Sequence, residues 1–180
     1  MKSFNQELKS ALVAEIRKHR EQDQVIQGNY GTKESGIFRG CAVGCAIDSL
    51  FVIDGHDTPY YLCADHGIYE RVLGIPRILA ELQDVIHEGL SDESFPTWPE
   101  RFMEAVPTET DLSKVWAKFI IWLVGAFLAE KQRIVVDQNR ADMDKIMRDA
   151  ANSSGLDIKE QFYEKCAEKL IELLKAEGDE

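Results

Sequence analysis

The chain has 180 residues, 44% of them hydrophobic, which is about one domain and enough apolar side chain to bury a core without metal or disulfide staples. With 21 Lys and Arg against 32 Asp and Glu, the net charge is −11 and the pI is near 4.9. That balance argues against a nucleic-acid backbone or an anionic membrane surface as main partner; a small anionic molecule, a protein partner or a second copy of the chain is expected instead.

The first residues, Met1-Lys2-Ser3-Phe4-Asn5-Gln6-Glu7, carry no apolar run of signal-peptide type, so the cytoplasm is the expected compartment. All five prolines, at 59, 76, 96, 99 and 107, fall in the middle of the chain. Pro-free ends with 3.6-residue apolar periodicity predict an all-α protein, a single domain over residues 1–180 with about six to eight helices. The first helix is expected over Phe4–Val25, with Leu8, Leu12 and Ile16 on its apolar stripe. A turn-rich loop follows from Gly28 to Gly36. Gly40-Cys41-Ala42-Val43-Gly44-Cys45-Ala46-Ile47, built almost wholly of small residues, is expected to open a helix that lets another backbone or a ligand approach closely.

The single strand expected is Leu50-Phe51-Val52-Ile53. Beyond the Asp54–Pro59 loop a short helix should stop at Gly74-Ile75-Pro76. Pro76 then suits the first turn of a helix ending at Gly89, with Ile78, Leu79, Leu82, Val85 and Ile86 facing the core. A short helix is expected over Pro99–Val106. Thr110 or Asp111 should cap a core helix over Val115–Leu128 with Trp116, Phe119, Ile120, Leu123 and Phe127 as the hydrophobic spine; Lys118 and the length exclude a membrane span. A helix over Ala141–Ala151 and a last amphipathic one with Ile158, Phe162, Cys166, Leu170 and Leu173 complete the chain.

Three histidines stand at helical spacing from carboxylates: His19 with Asp23, His66 with Glu70, and His87 with Asp84 beside Glu88. A carboxylate fixes a histidine tautomer and raises its basicity. Cys41 and Cys45, beside Gly40 and Gly44 near a helix start, occupy the most distinctive position, because open helix amides attract anions and stabilise a thiolate. In a catalytic reading Cys41 is the nucleophile, His66 or His19 its base, and Glu70 or Asp23 the orienting acid. Close helix packing explains the same small residues and is the preferred reading of the segment taken alone. A zinc reading would join Cys41, Cys45, Cys63 and His66; metal is expected to be absent or weakly held there, and all four cysteines of the chain, Cys166 included, to be free thiols. No nucleotide loop, hydrolase elbow or zincin helix is present, and no motif points to a cofactor.

At His19-x3-Asp23, Gly28-x-Tyr30, Gly40-Cys41-Ala42-Val43-Gly44-Cys45, His66-x2-Tyr69-Glu70 and Gly74-Ile75-Pro76, the chain resembles a family of bacterial and bacteriophage proteins with no assigned activity. The resemblance runs from about residue 19 to about 125, with Glu88 on a recurrent acidic position, and does not cover Lys131 onward. It implies that His19, Asp23, Cys41, Cys45, His66, Tyr69 and Glu70 belong to one site, and nothing about the reaction. The resulting expectation is a small-anion or metal-binding pocket protein of hydrolase type, with Cys41, His66, Glu70, His19 and Asp23 catalytic and Gly40, Gly44, Cys45 and Tyr69 lining the ligand. The alternative is a non-catalytic interaction module presenting an apolar patch around Phe95, Trp98 and Phe102.

Overall fold

The computed structural model describes residues 4–125 and 156–178, and the expected helix over Ala141–Ala151 and the side chains of Phe127 and Ile158 lie outside them. The architecture is all-α with one small hairpin. Helix α1, Gln6–Glu21, begins where the Asn5 side chain accepts a hydrogen bond from the Leu8 amide at 2.9 Å, satisfying an amide the helix itself leaves open. It buries Leu12 and Ile16. It stops short of Val25 because Asp23 turns left-handed, at φ 53°, and Val25 pairs with Gly40 in an isolated parallel bridge.

Strands β1, Thr32–Glu34, and β2, Ile37–Arg39, then form an antiparallel hairpin whose first strand and turn lie inside the expected Gly28–Gly36 loop and whose second strand follows it. Ser35 and Gly36, both at positive φ, make the two-residue turn whose twist suits a hairpin. The expected strand at Leu50–Ile53 is instead the last turn of helix α2, Ala42–Ile53: local β propensity yields to a helical ladder already propagating from Ala42.

Helix α2 is the central element, with every residue from Ala42 to Leu50 buried. It packs against α1, α3 (Arg77–Gly89) and α4 (Trp98–Ala105). Between α2 and α3 lie a 3-10 turn, Tyr60–Leu62, and a π-helical turn, Tyr69–Leu73, which Gly74 closes at φ 69°. The C-terminal helix, Leu156–Gly178, covers α3 and α4 with Cys166, Leu170 and Leu173 inward, as its periodicity predicts; Phe162 is exposed.

Two expectations about burial are corrected. Helix 115–125 buries Val115 and Phe119 but exposes Ile121 and Val124, so the most buried helix is α2 and not this one. In α3 the inward face is Leu79, Ala80, Gln83, Asp84, Ile86 and His87, while Ile78 and Val85 face outward. Periodicity locates a stripe only to within part of a turn, and here the apolar contacts share the inner face with three polar residues. Trp98 and Phe102 are fully buried, which removes the apolar patch expected of an interaction module. Among the described residues no helix is long and apolar enough to cross a membrane.

Candidate functional site

Cys41 is the N-cap residue of α2, with extended backbone. Its amide donates to the Asn29 carbonyl at 2.8 Å, so the Gly28–Gly31 segment lies directly on the start of the helix. Glycine makes that contact possible. A Cβ on Gly44 would sit 1.5 Å from the Tyr30 carbonyl oxygen, and one on Gly40 would sit 2.5 Å from the same atom. Small residues at Gly40 and Gly44 therefore serve packing against a loop, where packing against another helix was expected, and by doing so bring Tyr30 over Cys41.

Asp84, inward on α3, is the hub opposite. Its Oδ2 lies 3.4 Å from His66 Nε2, and the His66 ring meets Tyr30 edge-on at 5.7 Å between centroids. Burial alone would raise the Asp84 carboxyl, but His66, Cys41 and Tyr30 around it hold it below the usual carboxylate range. Cys41 moves the other way. Burial first, and then the Asp84 charge, push its thiol far up, against the weaker pull of the Gly44 and Val43 amides. The thiolate expected at a helix N-terminus is thus the disfavoured form in this setting, because desolvation and a neighbouring carboxylate outweigh a half-charge of helix dipole.

The polar atoms of this cluster are incompletely paired. Tyr69 and Gln83 are fully buried, and the Tyr69 hydroxyl, both amide atoms of Gln83, Asp84 Oδ1 and His66 Nε2 reach no hydrogen-bond partner at full geometry. Burial and then the charges of Cys41 and Asp84 push the Tyr69 hydroxyl well up, which places that group on the Cys41 side of the core. Cys41 Sγ, Asp84 and Glu88 offer ligand atoms all within 4.8 Å of one another. Glu88, on the exposed edge, accepts from the Gly28 amide at 2.8 Å and so ties α3 to the covering loop.

His19 belongs to a second cluster. Its Nε2 is 3.4 Å from Asp48 Oδ2 and its Nδ1 is 2.5 Å from Gln24 Oε1, while Thr58 donates to Asp48 Oδ1 at 2.6 Å. This group borders a groove of ≈ 340 Å³ that Lys18, Lys33 and His56 also line. Asp48 follows Cys41 by seven residues on α2, a rise of about 10 Å. Cys45 lies between them, its thiol donating to the Gly40 carbonyl at 3.2 Å and pushed up by burial and the Cys41 and Asp48 charges.

The residues expected to form one site are therefore divided. Cys41, His66, Tyr69, Gly40 and Gly44 come together; Cys45 is one turn deeper, and His19 sits with Asp48. Asp23 is exposed at the end of α1 and is not the partner of His19. Glu70, also exposed, borders a separate groove with Arg71 and Pro107 and is not the partner of His66. His66 stands in a turn ahead of the π-helical Tyr69–Leu73 segment, so it and Glu70 do not share one regular helix and a spacing of four does not put them on one face. Cys63 is buried near Cys45 and Phe38, so the four groups of the zinc reading are not the donor set that gathers at Cys41. Helical spacing pairs Asp84 with His87, yet His87 turns its Nε2 to the Ile26 carbonyl at 3.0 Å. Asp84, Gln83 and Tyr30 were missed as site residues; the legible signal was an acidic residue on the same stripe of α3 as Leu79, Ala80 and Ile86. No protein-family profile, curated protein or solved structure matches the chain.

Proposed function

We propose that this protein binds a small polar ligand at the cluster of Cys41, Asp84, His66, Tyr30 and Tyr69, and that the chemistry performed there is hydrolytic. The observation that carries the reading is the set of buried atoms left without a well-formed hydrogen bond: the Tyr69 hydroxyl, the Gln83 amide and Asp84 Oδ1. Each such group costs about 1–3 kcal/mol of stability when left unsatisfied, and groups of this kind gathered at one place are best accounted for by a partner that binds there. The Asp84–His66 pair is suited to hold or move a proton. Burial of Trp98 and Phe102 weakens the interaction-module alternative.

Tyr69→Phe tests this directly. Removing a hydroxyl that waits for a ligand should leave the free protein equally or more stable, with a rise of about 2–4 °C in melting temperature for each kcal/mol relieved. A loss of 1 kcal/mol or more would show that the hydroxyl is satisfied within the fold, and would end the argument.

A further inference from the structure

We propose that Cys41 Sγ and the carboxylates of Asp84 and Glu88 bind a divalent transition-metal ion of the zinc class. The inference rests on the ligand site proposed above and names what occupies it.

The donor atoms come from two elements, the first residue of α2 and one face of α3, where Asp84 and Glu88 stand four residues apart and so project on the same side. All three lie within 4.8 Å of each other. A tetrahedral zinc site with bonds of about 2.0–2.3 Å brings its donors to about 3.3–3.8 Å apart, a closure of about 1 Å. Glu88, the exposed member, can supply that movement at the rim, while Cys41 and Asp84 are fixed by burial.

Charge chemistry points the same way. Two carboxylates beside a thiol offer a cation a mixed set of oxygen and sulfur donors, and a sulfur donor selects zinc-like ions over magnesium or calcium. Binding exchanges the thiol proton for the metal, the S–H bond breaking and the proton leaving to solvent, with no change of oxidation state. His66, 3.4 Å from Asp84 Oδ2, then backs a ligating carboxylate, an arrangement that orients the ligand and tunes the metal.

The independent sign that something is bound is Tyr69. Its hydroxyl is fully buried close to Cys41 and Asp84, and although the Gln83 amide lies near it, neither group reaches a partner at full hydrogen-bond geometry. Three protein donors leave one tetrahedral position for water, as in hydrolytic zinc sites. A metal-bound water would complete the hydrogen bonding that the Tyr69 hydroxyl and the Gln83 amide reach only imperfectly between themselves.

The test is titration of the metal-free full chain with Co²⁺, zinc's spectroscopic substitute. The expected result is about one ion per chain with release of about one proton, and a near-ultraviolet sulfur-to-cobalt charge-transfer band. Cys41→Ser should abolish the band, Cys166→Ser should retain it, and Glu88→Gln should weaken binding by about tenfold or more. Glu88 lies at the surface, so that variant decides the matter if Cys41→Ser does not fold. A band that survives Cys41→Ser, affinity unchanged in Glu88→Gln, or no band in protein folded by circular dichroism overturns the metal site. A Tyr69→Phe variant that is as stable as the parent or more so, together with no cobalt band, would keep the pocket and remove the metal; a destabilised Tyr69→Phe with a cobalt band would do the reverse.

Discussion

Asp84 is the one side chain that bears on Cys41, Tyr30, Tyr69 and His66 alike. Its depressed carboxyl makes a definite claim about pH. A carboxylate whose folded value lies below the unfolded one of about 3.9 stabilises the protein above that pH, and the contribution is lost as pH falls toward the folded value. Melting curves of the parent and Asp84→Asn should therefore differ most at neutral pH and converge below about pH 4. Cys41 reports the same charge from the other side: in metal-free protein, Asp84→Asn should speed its alkylation by iodoacetamide several-fold at fixed pH, because the carboxylate that holds the thiol up has gone. Alkylation of Cys166, pushed up to about 11 by burial alone, should not change. His87 adds an acid limb of opposite origin. Burial lowers its pKa, so the unfolded chain takes up a proton near pH 6.5 before the folded one does, and stability falls as pH drops below that value. His87→Gln should flatten this limb, and a limb of unchanged slope would assign it elsewhere.

At the scale of elements, α2 and the Gly28–Gly31 segment act as one unit. Gly44→Ala places a methyl group 1.5 Å from a backbone oxygen, and neither backbone has a flexible end that can give way. The expected loss is at least the 1–3 kcal/mol typical of overpacking, together with loss of the Cys41 site, since the Asn29 carbonyl that receives the Cys41 amide moves with Tyr30. Gly36→Ala at the hairpin turn meets nothing within 4 Å but keeps its φ of 84°, so it should cost only about 1–2 kcal/mol of backbone strain. Denaturant melts of the two variants decide this; equal losses would mean that the loop is free to lift from α2. The same comparison shows why the hexapeptide was read in two ways. Small residues at a helix start serve close packing, and here close packing is what places a tyrosine and a carboxylate-tethered loop over a thiol.

Across the whole molecule, burial is centred on α2 and on Trp98, whose indole N–H donates to the Gln83 carbonyl at 2.9 Å. Trp98→Ala should cost about 3–5 kcal/mol, and more than Trp122→Ala on helix 115–125, where the ring is only partly buried. The reverse order would move the core. Around it, Arg17 and Arg20 of α1 converge on Glu100 of α4 at 2.6 and 3.0 Å, and Lys9 donates to the Glu104 and Val106 carbonyls at the end of α4. These contacts set the angle between α1 and α4, and their surface portions contribute little energy of their own.

The helical class, the stops at Gly74 and Gly89, the inward Cys166, Leu170 and Leu173 of the C-terminal helix though not its exposed Phe162, and the singularity of the Gly40–Cys45 segment were legible in the chain, because each depends on residues a turn or less apart. The Ser35-Gly36 turn was legible too, though a turn-rich run conceals strands only three residues long. What tertiary structure alone decided was partnership. His19 turns to Asp48, 29 residues away, and His66 to Asp84, 18 residues away, instead of to Asp23 and Glu70 four residues on. Local spacing can offer a histidine a carboxylate, but an exposed carboxylate is well solvated and gains little from the pairing, whereas a buried one must find a charged or hydrogen-bonding neighbour among the residues the core delivers to it.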